Sequence, residues 1–326
     1  MAKDICIYYK KEPETDRYFS GDGVVIPFLR NLIKGKKTGG VEKVFINLCK
    51  SFTQLGISYK INPGFKQLKR DDKVIVLGSG KYVLSKYNKS NKIIAGIGLM
   101  THPSEWPTLC ADFPVVKYLQ HSDWATEVYK PYFGQAICEN WFAGIETDKW
   151  KPSKTEKDID VLIYYKIRWN QEGLNETLLK PIIDSIETKG LGYRLIKYGF
   201  YKEDEYLNLL NQSKMMFFLC EHESQGFACC EAMSMDVPVL AWDQGFCLDP
   251  NRFEWGDSEI PATSVPFFDE SCGLKFKSID EFYNVFPLFI ENVARGIYKP
   301  RDFVTTNLSL EKSGKRMLEI LEEVYG

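Results

Sequence analysis

The sequence lacks the features that mark several large classes of protein. No stretch approaches the roughly 20 consecutive apolar residues that a membrane helix needs, and the net charge of −2 gives no general attraction to nucleic acid. The nine cysteines show no metal-binding spacing. Because their number is odd and no secretory signal is visible, we expect reduced thiols in a cytoplasmic protein.

The chain consists of two halves in which predicted strands and helices alternate. At 326 residues it is too long for one ordinary core and fits two domains. Apolar runs at residues 5–9 and 73–77 predict strands of the first half, and runs at 161–165 and 215–219 predict strands of the second. The charged segment 151–158 predicts a linker between them. Two such halves indicate two doubly wound α/β domains.

The most informative stretch carries two carboxylates, Glu223 and Glu231, which stand eight positions apart with Gly226 between them. It lies between two apolar runs, so a helix over about 226–235 must connect two strands of one sheet. Such a βαβ unit places the helix N-terminus at the carboxyl edge of the sheet, where anionic ligands bind. Helix amides for a phosphate and carboxylates for hydroxyl groups together suit a nucleotide sugar.

This stretch resembles the E-x7-E signature of the retaining GT-B glycosyltransferases of the family 4, or group 1, type. Three other segments resemble the same family in the same order along the chain. They are the Gly39-Gly40 loop, the segment Gly-Ile-Glu-Thr-Asp-Lys-Trp-Lys-Pro at residues 144–152, and the segment Asn-Leu-Ser-Leu-Glu-Lys at residues 307–312. The resemblance therefore extends over most of the chain.

The resemblance implies a GT-B fold, in which two Rossmann-like doubly wound domains face a central cleft. The N-terminal, acceptor-side domain would comprise residues 1–152, and the nucleotide-sugar-binding domain would comprise residues 153–308. A last helix over residues 309–326 would cross back to the first domain. Segment 10–38 is unusually long for a connection between a strand and a helix, and we interpret it as an acceptor-side flap.

The resemblance also implies roles for the residues of the signature. Glu223 would hold hydroxyl groups of the donor sugar, and Glu231 would hold those of the ribose. The amides of Gly226, Phe227 and Ala228 would stabilise part of the diphosphate charge. The ordinary alternatives are a surface carboxylate in a loop for Glu223 and a helix-face carboxylate paired with a base for Glu231.

Two donor contacts are expected in the first half of the chain. By resemblance, the Gly39-Gly40 loop would approach the donor phosphates and sugar through its backbone, and His102 would face the donor sugar at the end of a predicted strand over residues 93–100. Glu223 and His102 are thus the candidate catalytic residues. An ordinary turn before a helix is the alternative for the glycines, and a loop histidine bonded to backbone is the alternative for His102.

A cation for the diphosphate is expected after the first strand of the second half. Lys166 and Arg168 both qualify, because their side chains point the same way if the strand continues. Arginine is the better suited of the two to forked phosphate contacts. The family's Gly-Arg and Lys-Gly pairs are missing at this place. The pair Asp158 and Asp160 precedes its strand, so we do not interpret it as a metal site.

The resemblance implies a retaining, metal-independent transfer of a sugar from a nucleotide-diphosphate donor to a glycan or lipid-linked acceptor, as in polysaccharide biosynthesis. We expect no cofactor, no metal and no nucleic acid, and we leave peripheral contact with a membrane open. The base, the donor sugar, the acceptor and the oligomeric state are not indicated. The alternatives are a sugar-nucleotide epimerase or hydrolase of the same fold, and a catalytically silent binding domain.

Overall fold

The structure is a computed structural model that describes residues 4–11, 39–256 and 259–326. Most of the segment that we interpret as a flap, residues 12–38, lies outside the described residues. The strands are β1 (Ile5–Lys11), β2 (Tyr59–Ile61), β3 (Lys73–Ser79), β4 (Ile93–Gly96), β5 (Val115–Gln120), β6 (Cys138–Asn140), β7 (Ile159–Lys166), β8 (Tyr193–Lys197), β9 (Ser213–Cys220), β10 (Val239–Trp242) and β11 (Gly273–Phe276).

The helices of the described residues vary from one turn to more than four turns. They are α1 (Gly40–Gln54), α2 (Leu109–Asp112), α3 (Asp123–Phe133), α4 (Gln171–Leu174), α5 (Lys180–Thr188), α6 (Glu203–Gln212), α7 (Phe227–Ser234), α8 (Ile279–Ala294), α9 (Pro300–Asn307) and α10 (Leu310–Tyr325). A π-helical turn, Asn175–Leu179, joins α4 to α5. In the described part of the chain, no helix has the length and the apolar character needed to cross a bilayer.

Contacts between residues divide the chain into two compact units. Unit 1 comprises Met1–Gln120, Thr126–Gly144 and Ser313–Gly326, and unit 2 comprises His121–Ala125 and Ile145–Lys312.

The chain passes from unit 1 to unit 2 after residue 144 and back to unit 1 after residue 312, whereas the sequence predicts domain boundaries after residues 152 and 308. Residues 145–150 belong to unit 2 because they are bonded to it: Ile145 forms a parallel bridge with Ser309, and the Trp150 carbonyl accepts hydrogen bonds from Ser234 and Arg301.

Unit 1 is built on a six-stranded parallel sheet with the order β2-β1-β3-β4-β5-β6. Helix α1 covers it with an apolar stripe at helical spacing, in which Val44, Leu48 and Phe52 are fully buried. Helix α10 belongs to the same unit through Ser313, whose carbonyl accepts from the Trp141 indole and whose hydroxyl donates to the Phe142 carbonyl.

Strand β4 is shorter than the sequence predicts, because the backbone after it cannot continue a strand. The prediction extends over residues 93–100, but β4 ends at Gly96, and Ile97 and Gly98 follow with φ of 28° and 92°. At Gly98 a Cβ would lie 2.1 Å from the Gly78 carbonyl oxygen and 2.5 Å from a methyl group of Val41. Only glycine therefore fits where the first turn of α1 meets the ends of β3 and β4.

Unit 2 is built on a five-stranded parallel sheet with the order β11-β10-β9-β7-β8. Its central strand β9 is buried at every residue except Lys214, which explains its continuous apolar run. Phe217 of β9 packs against Phe282, Phe286 and Phe289 of α8.

We predict that Gly98→Ala destabilises the protein by at least about 2 kcal/mol more than Gly134→Ala, because the new methyl group meets backbone atoms. Gly134 is the matched control, since its φ of 87° is nearly that of Gly98 but no atom of the described part of the chain lies within 4 Å of a Cβ built there. Chemical denaturation of both variants measures the difference. Equal losses of unfolding free energy would show that the close contact at Gly98 is not real.

Candidate functional site

The predicted residues of the second half meet at the topological switch point of unit 2. The chain leaves β7 for the neighbouring β8 and then crosses to β9 on the other side of β7. In a doubly wound sheet, the crevice at such a reversal is where ligands bind. Lys166, the last residue of β7, lies in register with Cys220, the last residue of β9. The loops after these two strands therefore start side by side.

The signature helix begins as predicted. Gly226 is the N-cap of α7 and has left-handed backbone angles, with φ of 74° and ψ of 54°. A Cβ there would make only ordinary contacts with the protein, 3.5 Å from Glu223 and 3.7 Å from the Ser264 carbonyl, so the backbone angle is what favours glycine. Gly226 has no side chain that could cap the helix, and the first-turn residues Phe227 and Ala228 lie half-buried. The amides of this first turn point out of the helix end, where they can receive an anion.

The two glutamates of the signature occupy different surroundings. Glu231 is buried within α7. Glu223 lies in the loop before the helix, where its amide donates to the Thr263 carbonyl (2.9 Å) and its carbonyl accepts from the Trp124 indole (2.9 Å). Thr263 is held in turn by the buried carboxylate of Asp243 (2.8 Å). The backbone of Glu223 is thus fixed on both sides.

The structure brings Glu223 and Lys166 together as an ion pair with a charge-assisted hydrogen bond. Both side chains are largely buried, with 12% of Lys166 and 15% of Glu223 exposed. Burial alone would lower the pKa of Lys166, but the Glu223 carboxylate outweighs it and the net shift is upward. The Lys166 ammonium also lies over the Tyr198 ring, 4.3 Å from its centre. Lys166 is therefore charged in the free protein.

Arg168 lies beyond the end of β7 and is more open than Lys166. Its guanidinium stacks on the Trp169 ring (4.4 Å), donates from Nη2 to the His222 carbonyl (3.2 Å), and stays 39% exposed. Strand β7 ends at Lys166, so the alternation expected for the two cations does not continue. The backbone amides of Arg168 and Trp169 both donate to one carboxylate oxygen of Glu221 (2.6 and 3.0 Å).

His222 lies between two indole rings in the same loop. Its ring stacks on Trp169 with centres 5.4 Å apart and meets Trp124 edge-on at 5.8 Å. Burial, followed by the nearby charges of Arg168 and Lys166, lowers the pKa of His222 to about 3. His222 is therefore neutral at physiological pH, and its ring packs between the two indole rings.

The remaining predicted residues belong to unit 1. Gly39 is the N-cap of α1, and a Cβ on Gly39 or Gly40 would meet no atom of the described residues within 4 Å. Both glycines are exposed at the start of the helix. His102 is only 4% exposed, and its Nδ1 caps the turn Pro103–Glu105 by accepting from the Ser104 amide (3.2 Å). This is the backbone-bonded arrangement that the sequence holds open as the alternative for His102.

Two residues of this site escaped the sequence reasoning. Glu221 was not singled out, although a charged residue directly after the apolar end of a strand at a switch point is a usable signal. Thr263 lies in an irregular segment far along the chain, and nothing in the sequence connects it with Glu223. Among the described residues, no three histidine, cysteine, aspartate or glutamate side chains cluster as metal ligands.

No protein-family model matches the chain, and no curated protein matches it in sequence. Solved structures do match. Sucrose-phosphate synthase from Thermosynechococcus elongatus is 11% identical, with 99% of each chain covered and a TM-score of 0.53. The apo lipopolysaccharide outer core galactosyltransferase WaaB is 11% identical, with 98% of this chain and 99% of that chain covered and a TM-score of 0.52.

A Staphylococcus aureus TarM mutant, solved with Fondaparinux, alpha-GlcNAc-glycerol and UDP, is 14% identical and has a TM-score of 0.52 over 78% of this chain. The chain spans only 54 to 58% of the length of TarM and of the pneumococcal O-GlcNAc transferase GtfA. At these identities the likeness defines the fold alone. Together with the two parallel sheets, it confirms the predicted GT-B fold of two Rossmann-like domains.

We predict that Glu223→Gln lowers the free energy of unfolding by about 2–3 kcal/mol, because it leaves the Lys166 ammonium buried without its counter-charge. Adding Lys166→Met should recover most of this loss. Glu291→Gln is the control, since it breaks an exposed pair with Arg295 on α8 and should cost less than about 0.5 kcal/mol. Chemical denaturation measures all three, and an equal, small effect of both glutamate variants would contradict a buried pair.

We predict that His222 makes the protein sensitive to acid. The pKa of His222 is depressed to about 3 in the folded protein, whereas its ordinary value is 6.5. When the pH is lowered below 6.5, the unfolded chain takes up this proton and the folded protein does not, so the free energy of unfolding decreases as the pH decreases. Between pH 7.5 and pH 5 the wild type should lose about 2 kcal/mol more than His222→Gln, in which this proton is absent. Denaturant unfolding at both pH values measures the difference. If the wild type and His222→Gln lose the same unfolding free energy between these pH values, the pKa of His222 is not depressed in the folded protein.

Proposed function

We propose that the protein is a retaining glycosyltransferase that moves a sugar from a nucleotide-diphosphate donor to a glycan or lipid-linked acceptor. The observation that carries the proposal is the meeting of Arg168, the N-terminus of α7 and Glu223 at the switch point of unit 2. Two of the similar structures support it: WaaB is a galactosyltransferase, and the TarM mutant was solved with UDP.

Arg168, rather than Lys166, is the cation that we assign to the diphosphate. Lys166 is buried and paired with Glu223. If a phosphate drew Lys166 away, the Glu223 carboxylate would be left buried without a counter-charge. Arg168 is partly exposed, and Trp169 holds its planar group in one orientation. A planar guanidinium donates in a fixed fork that suits phosphate oxygens. Lys166 then serves to hold Glu223 in place for the donor sugar.

The chemistry that we propose needs no cofactor. Sugar transfer passes through an oxocarbenium-like state, and the diphosphate leaves with additional negative charge. Arg168 and the amides of Phe227 and Ala228 would stabilise that charge, while Glu231 would hold the ribose. Since these groups supply the positive charge themselves, we propose that transfer is metal-independent. Retention would follow from attack of the acceptor on the same face that the diphosphate leaves.

The roles of Gly39, Gly40 and His102 in unit 1 stay predictions. The exposed backbone at Gly39 and Gly40 agrees with a ligand-binding loop, because no atom of the described residues lies within 4 Å of a Cβ built at either glycine. For His102, the buried cap on the Ser104 amide occupies Nδ1, so a sugar contact would use Nε2. Cytoplasmic location and peripheral membrane contact likewise stay predictions.

Binding of nucleoside diphosphates provides the first test of this function. We expect UDP, GDP or ADP, but not the corresponding nucleoside, to raise the melting temperature strongly, since ligands that bind only the folded state stabilise it. Arg168→Ala should weaken this binding by about tenfold or more, through loss of a charge-assisted hydrogen bond. Arg194→Ala, at an exposed arginine on β8, is the control and should bind like the wild type. If no nucleoside diphosphate binds, the proposal is wrong.

Incubation with the matching nucleotide sugar then separates transfer from its alternatives. A glycosyltransferase should form an anomer-retained product only when an acceptor is present, with the same rate in EDTA. Release of free sugar or of an epimer without acceptor would identify a hydrolase or epimerase. Binding without any turnover across donors and acceptors would identify a silent binding domain.

A further inference from the structure

Glu221 is a buried carboxylate at the switch point that lies outside the E-x7-E signature. It is the first residue after β9, and its side chain is wholly buried. Its Oε1 accepts from the backbone amides of Arg168 (2.6 Å) and Trp169 (3.0 Å), in the loop after the neighbouring strand β7. An ionised carboxylate is a strong acceptor for such amides. One side chain thus fixes the backbone of the loop that carries Arg168.

The second oxygen of Glu221 faces the side chain of the same arginine. Oε2 is buried and has no hydrogen-bond partner among the described residues, and Nε of Arg168 lies 3.7 Å away. A buried carboxylate oxygen without a hydrogen bond is costly, and the attraction to the guanidinium offsets part of that cost. Nε therefore points inward toward Glu221.

The guanidinium is in this way held on three sides. Glu221 lies near Nε, the His222 carbonyl accepts from Nη2, and the Trp169 ring stacks on the flat face. Nη1 makes no hydrogen bond within the described chain. The edge of the guanidinium that carries Nη1 is therefore left open. This free edge can donate hydrogen bonds to an anion.

We propose that Glu221 is the positioning residue of Arg168: it holds the loop backbone and turns the guanidinium so that its free edge binds the diphosphate. This inference rests on the proposed role of Arg168 as the diphosphate cation. Two effects of Glu221 oppose each other, because its negative charge disfavours an anion while its orientation of Arg168 favours one. Without Glu221 the Arg168 side chain would adopt many rotamers, and binding of the diphosphate would have to restrict them at a cost in conformational entropy. We expect this cost to exceed the repulsion between Glu221 and the anion.

The sign of the effect of Glu221→Gln tests the inference. The probe is whichever of UDP, GDP and ADP gives the largest thermal shift with the wild type, and its nucleoside is the reference. We expect the variant to bind the diphosphate about tenfold more weakly and the nucleoside unchanged, because only the phosphate contact passes through Arg168. Tighter diphosphate binding would show that Glu221 acts only as an opposing charge and would overturn the proposal.

A double-mutant cycle with Arg168→Ala excludes a general structural effect. Positioning predicts that Glu221→Gln changes diphosphate binding in the wild type but not in the Arg168→Ala background, whereas a general loss of structure would act equally in both. Isothermal titration calorimetry measures the four affinities. Equal losses in both backgrounds, or loss of nucleoside binding as well, would contradict the inference.

Two further variants keep the test interpretable. Asp160→Asn is the matched control: Asp160 lies at the other end of β7 and also accepts from a backbone amide, that of Gly192, and from Lys214. It should leave diphosphate affinity unchanged. Glu221→Asp keeps the charge but shortens the side chain, and it replaces Glu221→Gln if that variant does not fold; it too should weaken diphosphate binding. Absence of any binding by the wild type would instead reject the proposed function, which separates the two failures.

Discussion

The site depends on the parallel pairing of β7 with β9. Because Lys166 stands beside Cys220 at the ends of these strands, the two loops that follow must pack against each other over several residues. Both loops carry charges, and charges that are removed from water must be paired. The contacts between Lys166 and Glu223 and between Glu221 and the Arg168 loop satisfy this requirement.

The pairing of charges also separates two kinds of cation. A buried lysine in contact with a buried carboxylate is committed to the structure of the free protein, and removing either partner leaves a charge without compensation. An arginine that is stacked and anchored but open at one edge can bind a ligand with little rearrangement. The same switch point thus contains a fixed pair, Lys166 and Glu223, and a ligand-ready group, Arg168.

Much of this could be predicted from the sequence, because strong local patterns dominate the fold. Fully apolar strands and amphipathic helices identify the alternation, and the position of Gly226 before an apolar helix predicts the N-terminus of α7. Short strands such as β6 and β11 were missed, since three or four residues carry too little periodicity. The end of β4 was placed too late because it depends on the contact of Gly98 with Gly78.

The choice between Lys166 and Arg168 could not be made from the sequence, because it depends on which carboxylate of another strand each cation meets. The most direct test is a crystal structure of the protein with a bound nucleoside diphosphate. The account predicts phosphate oxygens within hydrogen-bond distance of the Arg168 guanidinium and of the first amides of α7, with Lys166 still paired to Glu223. A diphosphate bound to Lys166 with that pair broken, or bound away from the ends of β7 and β9, would contradict it.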